Sequence, residues 1–231
     1  MGLHEEMLVL GEKAVAASRD LARLSARKKN TILLSMADEI EAAREILKQA
    51  NGKDMEAARA SGMSAALLDR LTLTDSRINA MAKGLREVSG LKDPVGAVIS
   101  RWIRPNGLEI LKTRIPIGVI AIIYESRPNV TADAAGLCFK TANAVILRGG
   151  KESLYSNQAI VEVLRAGGSK KGLPENAIQL VMTTDRDAVR ELVQLEGKVD
   201  LVIPRGGESL IRAVVEPVSY THLTLPTKRI V

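Results

Sequence analysis

Aromatic side chains are scarce in this 231-residue chain: phenylalanine, tryptophan and tyrosine together make up 2% of it. Aliphatic and alanine side chains must therefore fill the interior, which suits helices on a parallel sheet better than a β-sandwich. There is a single cysteine, Cys138, so no internal disulfide can form. The two histidines, His4 and His222, are too far apart in sequence to make a metal cluster, and no metal is expected. No apolar run reaches the length of a membrane span. Glu5 and Glu6 stand where a signal peptide needs a basic start. A cytoplasmic protein without a membrane partner is the expectation.

What is present is a 46% hydrophobic chain with a net charge of +6. Residues 101–150 hold seven lysines and arginines against three acidic residues. A local excess of this kind favours a phosphate-bearing ligand over a nucleic-acid stripe, and no nucleic-acid partner is expected. A mildly basic solvated surface is the alternative.

In chain order, Leu3, Met7, Leu10, Ala14, Ala17, Leu21 and Leu24 recur at steps of four and three, predicting a packed helix to about Ala26. A second helix is predicted from Asn30 to Ala50, stopped by Asn51-Gly52. Shorter segments follow, at Asp54 to Ala60 and from Ser64. Thr74 then reads as the N-cap of a helix closed by Gly90. Pro105-Asn106-Gly107, between the runs Val98–Ile103 and Leu108–Thr113, predicts a β-hairpin. These signals divide the chain into a helical segment (residues 1–93), a hairpin (94–114) and a nucleotide-binding region (115–216).

The third part carries most of the functional information. Ile115–Tyr124 reads as a strand buried on both faces, followed at once by the charged loop Glu125-Ser126-Arg127-Pro128-Asn129. Open α/β sheets place ligands at such strand ends. A helix from Val130 to Thr141, stopped near Asn143, leads to a strand at Ala144–Leu147 and the turn Arg148-Gly149-Gly150-Lys151. Further on, a helix from Leu154, strands at Ile178–Met182 and Leu201–Pro204, and a helix from Asp185 complete a β and α alternation. Arg205-Gly206-Gly207-Glu208-Ser209 then repeats the arrangement of a strand end, a cation and two glycines. Two such turns facing one crevice would let backbone N–H groups approach a phosphate; two ordinary strand-to-helix turns are the alternative. The fold class is α/β: a helical amino-terminal segment and a doubly wound, Rossmann-like parallel sheet that is truncated.

The run IPIGVIAIIYESRPNVTADAAGLCFKTANAVILRGGKES closely resembles the γ-glutamyl phosphate reductases, or glutamate-5-semialdehyde dehydrogenases, of the aldehyde dehydrogenase superfamily. The strings YESRPN and LRGGKES are specific to that family, and the resemblance runs to about Glu216. It implies NADPH-dependent reduction of γ-glutamyl phosphate to glutamate 5-semialdehyde and phosphate, a step of proline biosynthesis. A cysteine thiolate would form the acyl-enzyme. It also implies that Ser126, Arg127 and Pro128 lie along the nicotinamide half of the cofactor, and that Arg148 and Lys151 lie near the adenosine ribose, where a cation favours the extra phosphate of NADPH. Asn129 would help bind an oxyanion, with capping of the following helix as an equally good role. The hairpin would serve homo-oligomerisation, and the kinase that makes the substrate is a possible partner.

Cys138, in a predicted helix with no histidine near it in sequence, reads as a small buried thiol in preference to a nucleophile. The ten residues VSYTHLTLPT from Val218 to Thr227 have no counterpart in the family and match, codon by codon, a translated transposase adapter. Residues 217–231 are therefore expected to be a non-native tail, with the family's nucleophilic cysteine missing from the chain. By itself the chain would then be a noncatalytic dinucleotide-binding module.

Overall fold

The computed structural model describes residues 2–216, so the expected non-native tail lies outside the described residues. Helix α1 (Leu3–Leu21) buries Met7, Ala14, Ala17 and Leu21, the stripe read from the sequence, but ends before Ala26. The reason is Ser25, whose Oγ accepts the Lys28 N–H at 3.2 Å and so caps α2 (Ala26–Ala42). After a break at Ala43, α3 (Arg44–Ala60) runs straight through Asn51-Gly52, where the sequence predicts a stop. Asn51 is buried and satisfied by tertiary partners: its Nδ2 donates to the Leu71 carbonyl (2.9 Å) and Ser156 Oγ (3.0 Å), and its Oδ1 accepts the Leu73 N–H (2.8 Å). Helix α4 (Ala65–Leu71) follows, and α5 (Asp75–Gly90) is capped by Thr74 as expected.

Strands β1 (Val98–Ile103) and β2 (Glu109–Thr113) form the antiparallel hairpin, turned by Gly107 in the left-handed region at φ 84°. None of its strand residues is buried.

The second sheet is parallel, with strands in the order β5-β4-β3-β6: β3 (Val119–Tyr124), β4 (Ala144–Arg148), β5 (Ile178–Leu180) and β6 (Leu201–Arg205). Strand β3 starts four residues later than the apolar run suggests. Ile115 and Ile117 are exposed, and Gly118 turns the chain at φ 127° against the Asp200 carboxylate. Side chains fix this start: Asn143 Oδ1 accepts the N–H groups of Ile117 and Gly118, and Asp200 Oδ2 accepts that of Val119.

Helices α6 (Asn129–Lys140) and α7 (Leu154–Ser169) carry the chain from β3 to β4 and from β4 to β5. After β5 the order reverses: α8 (Asp187–Val193) returns the chain to β6 on the far side of β3. Right-handed crossovers in opposite directions put their helices on opposite faces. Accordingly α6 and α7 pack together under α2 and α5, whereas α8 packs with α1. The chain is described to the end of α9 (Glu208–Val215) and Glu216, and no helix among the described residues is long and apolar enough to cross a membrane. The reversal falls between β3 and β6, and a crevice outside the strand ends belongs there.

Candidate functional site

The sheet delivers three loops to that crevice, from the ends of β3, β4 and β6. A directed chain of buried hydrogen bonds fixes the first to the second. Tyr124 O–H donates to Thr131 Oγ1 (2.6 Å), Thr131 to Asn157 Oδ1 (2.9 Å), Asn157 Nδ2 to Ser153 Oγ (3.0 Å) and Ser153 to the Gly150 carbonyl (3.3 Å). The Thr131 and Ser153 hydroxyls each accept and donate, so the segment polarises along one direction. Burial pushes the Tyr124 phenol well above its ordinary pKa and leaves it a donor.

Two carboxylates hold the β3 loop from either side. Glu152 Oε1 accepts the Ser126 N–H and hydroxyl, with Ser126 at φ 39°, and Glu125 Oε2 accepts the Gly207 N–H at 3.0 Å. Three of the four glycines in the two turns make room for close approaches. A Cβ on Gly149 would strike Asn157, one on Gly150 the Glu152 carboxylate, and one on Gly206 the Glu125 carboxylate. The turns thus admit side chains of the chain itself, a role the sequence reading did not assign to them.

The β3 loop splits the crevice into two lobes. The larger, about 410 Å³, lies between the β4 and β6 ends and is lined by Ser126, Arg148, Gly150, Lys151, Glu152, Thr184, Arg186 and Ser209 among others. The smaller, about 280 Å³, lies toward α4 and the start of α6 and is lined by Leu67, Arg70, Tyr124, Glu125, Ser126, Arg127, Val130, Arg205, Gly206 and Gly207. Hence Ser126, Arg148, Gly150, Lys151 and Ser209 meet in one lobe, while Arg127, Gly206 and Gly207 line the other.

Gly149 and Pro128 line neither lobe: Gly149 packs on Asn157, and Pro128 is buried at the N-cap of α6. Pro128 at that position overturns the capping alternative for Asn129, which is the first residue of the helix; its Nδ2 donates to Asp133 Oδ2 at 3.2 Å. Arg148 is 9% exposed. Its guanidinium donates to the carbonyls of Gly149 (3.0 Å) and Asp185 (3.2 Å), while its buried Nε has no partner among the described residues. Burial lowers its pKa and raises the value of any anion that would meet it.

Cys138 lies within α6, 5% exposed, and burial pushes its thiol up to about 12. A thiol so placed stays protonated at neutral pH. Thr184, Arg186, Leu67 and Arg70 are lining residues that the sequence reading missed. None stands in a recognisable motif; Arg205 does, immediately before its glycine pair.

The aldehyde dehydrogenase family profile matches residues 5–227. A γ-glutamyl phosphate reductase of Moorella thermoacetica is 54% identical over 216 residues, covering 94% of this chain and 52% of that protein. Among solved structures, γ-glutamyl phosphate reductase from Thermotoga maritima superposes with a TM-score of 0.91 at 42% identity, over 93% of this chain and 52% of that one. The same enzyme from Saccharomyces cerevisiae gives 0.85 at 30% identity, over 94% and 55%. The chain spans about half the length of the curated relatives it matches.

Proposed function

The chain belongs to the aldehyde dehydrogenase family, and on that premise we propose that it is the cofactor-binding part of a reductase that converts γ-glutamyl phosphate to glutamate 5-semialdehyde and phosphate. The observation that carries this reading is the larger lobe at the sheet's reversal point, where the buried Arg148 Nε lacks a partner among the described residues and Lys151 lines the same lobe. An unpaired buried donor beside a second cation fits an anionic ribose phosphate, which favours NADPH over NADH. When bound, the reduced nicotinamide supplies the hydride.

The chain's own residues orient and exclude. Glu152 fixes Ser126, and through it the loop that separates the lobes; Glu125 fixes the β6 turn at Gly207. Asn129, at the start of α6, would present its amide to a developing oxyanion once released from Asp133, a role supported by its place in the RPN string. The exposed Ile99, Trp102, Ile103 and Leu111 of the hairpin support association of subunits in the whole protein.

The buried state of Cys138 favours a second reading of the chain taken alone, a dinucleotide-binding module that does not turn over. Fluorescence titration with NADPH and NADH tests the cofactor reading. NADPH is expected to bind more tightly, with Lys151→Gln reducing the preference by about tenfold; equal affinities in the unmodified chain would remove NADPH. A reductase assay on the same protein is expected to show no turnover, and turnover that disappears in Cys138→Ala would make Cys138 the nucleophile.

A further inference from the structure

The smaller lobe has its own chemistry. Arg70 from α4, Arg127 from the β3 loop and Arg205 from the end of β6 line one cleft, although they come from three separate parts of the chain. Among the described residues none of the three side chains has a hydrogen bond or an ion pair, although the Arg205 charge reaches Asp133, where it pulls against the burial that raises that carboxyl's pKa. Among the other arginines of the helical segment, Arg44 pairs with Asp75, Arg77 with Asp69, and Arg86 with Asp38 and Glu41; what sets Arg70, Arg127 and Arg205 apart is that three segments bring them to one cleft. Three unpaired guanidiniums around one cleft repel one another, and an anion between them relieves that repulsion. The one carboxylate in the lining, Glu125, is directed to the Gly207 N–H.

We propose that this lobe is a seat for a phosphate dianion, carried on an acyl phosphate substrate or free as inorganic phosphate. The guanidinium fork matches phosphate oxygens in pairs, which lysine cannot do. Leu67 and Val130 give the same cleft an apolar side for the carbon chain of such a substrate. The β3 loop forms a wall of both lobes, through Glu125 and Ser126, so an anion here would lie next to whatever occupies the larger lobe. The naming of an acyl phosphate rests on the reductase reading; the anion seat rests on the three arginines.

The test is calorimetric titration of the 231-residue chain with inorganic phosphate, acetyl phosphate and L-glutamate, comparing the unmodified protein with Arg70→Gln, Arg205→Gln and Lys151→Gln. Circular dichroism verifies that each variant folds. With the larger lobe filled by NADPH, Arg70→Gln and Arg205→Gln are each expected to weaken both phosphate ligands by about tenfold, Arg70→Lys less, and Lys151→Gln not at all. NADPH affinity should be unaffected by Arg70→Gln. Phosphate affinity that ignores Arg70 and Arg205, or follows Lys151 instead, overturns the proposal, as does an Arg70 dependence confined to L-glutamate. If no variant binds NADPH and phosphate still follows Arg70, the cofactor reading fails and the phosphate seat stands.

Discussion

A single oxygen of Glu152 holds Ser126 twice, accepting its N–H at 2.7 Å and its hydroxyl at 2.6 Å. Ser126 adopts φ 39°, a conformation that costs a non-glycine residue about 1 kcal/mol or more and persists only when its surroundings impose it. Glu152→Ala removes the constraint, and the loop between the two lobes loses its fixed shape. Titration should show NADPH affinity reduced by about tenfold, with thermal stability changed little because Ser126 is partly exposed. Glu152→Gln keeps an acceptor oxygen and should retain most of the affinity.

The two glycine pairs will respond differently to alanine. A methyl at Gly149 meets Asn157 Nδ2 inside the buried hydrogen-bond chain, so Gly149→Ala should destabilise the fold by about 2–3 kcal/mol in urea unfolding. Gly207 has open space around its Cβ position and an ordinary φ of −68° at the N-cap of α9. Gly207→Ala should cost about 1 kcal/mol or less.

Asp54 binds the first turn of α7 although it stands about a hundred residues earlier in the chain. Its carboxylate, 3% exposed, accepts the N–H groups of Tyr155 (3.2 Å) and Ser156 (2.7 Å) and the Ser156 hydroxyl (2.6 Å). Asp54→Ala leaves these donors without a partner and should cost about 3 kcal/mol.

Burial also raises the Asp54 pKa against the pull of those donors. The folded chain therefore binds this proton more tightly than the unfolded one. The resulting stabilisation is complete below the unfolded value, about 4, and is lost as pH rises through the raised folded value. Asp54→Asn cannot titrate. Unfolding midpoints of the unmodified chain, relative to Asp54→Asn, should accordingly fall with rising pH across that window.

The Cys138 thiol, buried in α6 and pushed up to about 12, should react with iodoacetamide at pH 8 only when the helix opens. Mass spectrometry should show alkylation at least about a hundredfold slower in the folded chain than in urea. A native rate near that of a free thiol would contradict the burial.

The parallel sheet was legible because short apolar, β-branched runs alternate with helical segments, and the hairpin because Asn106-Gly107 sits between two alternating runs. The length of α3 was not legible. Asn51-Gly52 carries the local signature of a helix end, and what overrules it is a set of partners 20 to 105 residues away. The start of β3 was misplaced for a similar reason: Ile115 and Ile117 look like core residues, while Gly118, Asn143 and Asp200 decide where pairing begins.

In the candidate site, the glycine turns and their cations were visible as strings, and the structure brings Arg148, Lys151 and Ser209 to one lobe. Arg70 was invisible because a lone arginine on a short helix has no spacing that marks it. The placing of Glu125 and Glu152 was equally hidden, since it is set by contacts 82 and 26 residues along the chain.

The hairpin, with no buried strand residue, holds Trp102, the sole tryptophan of the chain, at 44% exposure. Its indole sits in solvent, far from the interior in environment if not in sequence. Intrinsic emission will consequently start red-shifted in the native chain and change little as the parallel sheet melts. The same emission will shift to the blue when another surface covers the hairpin, making this residue a built-in optical gauge of association and a poor one of folding.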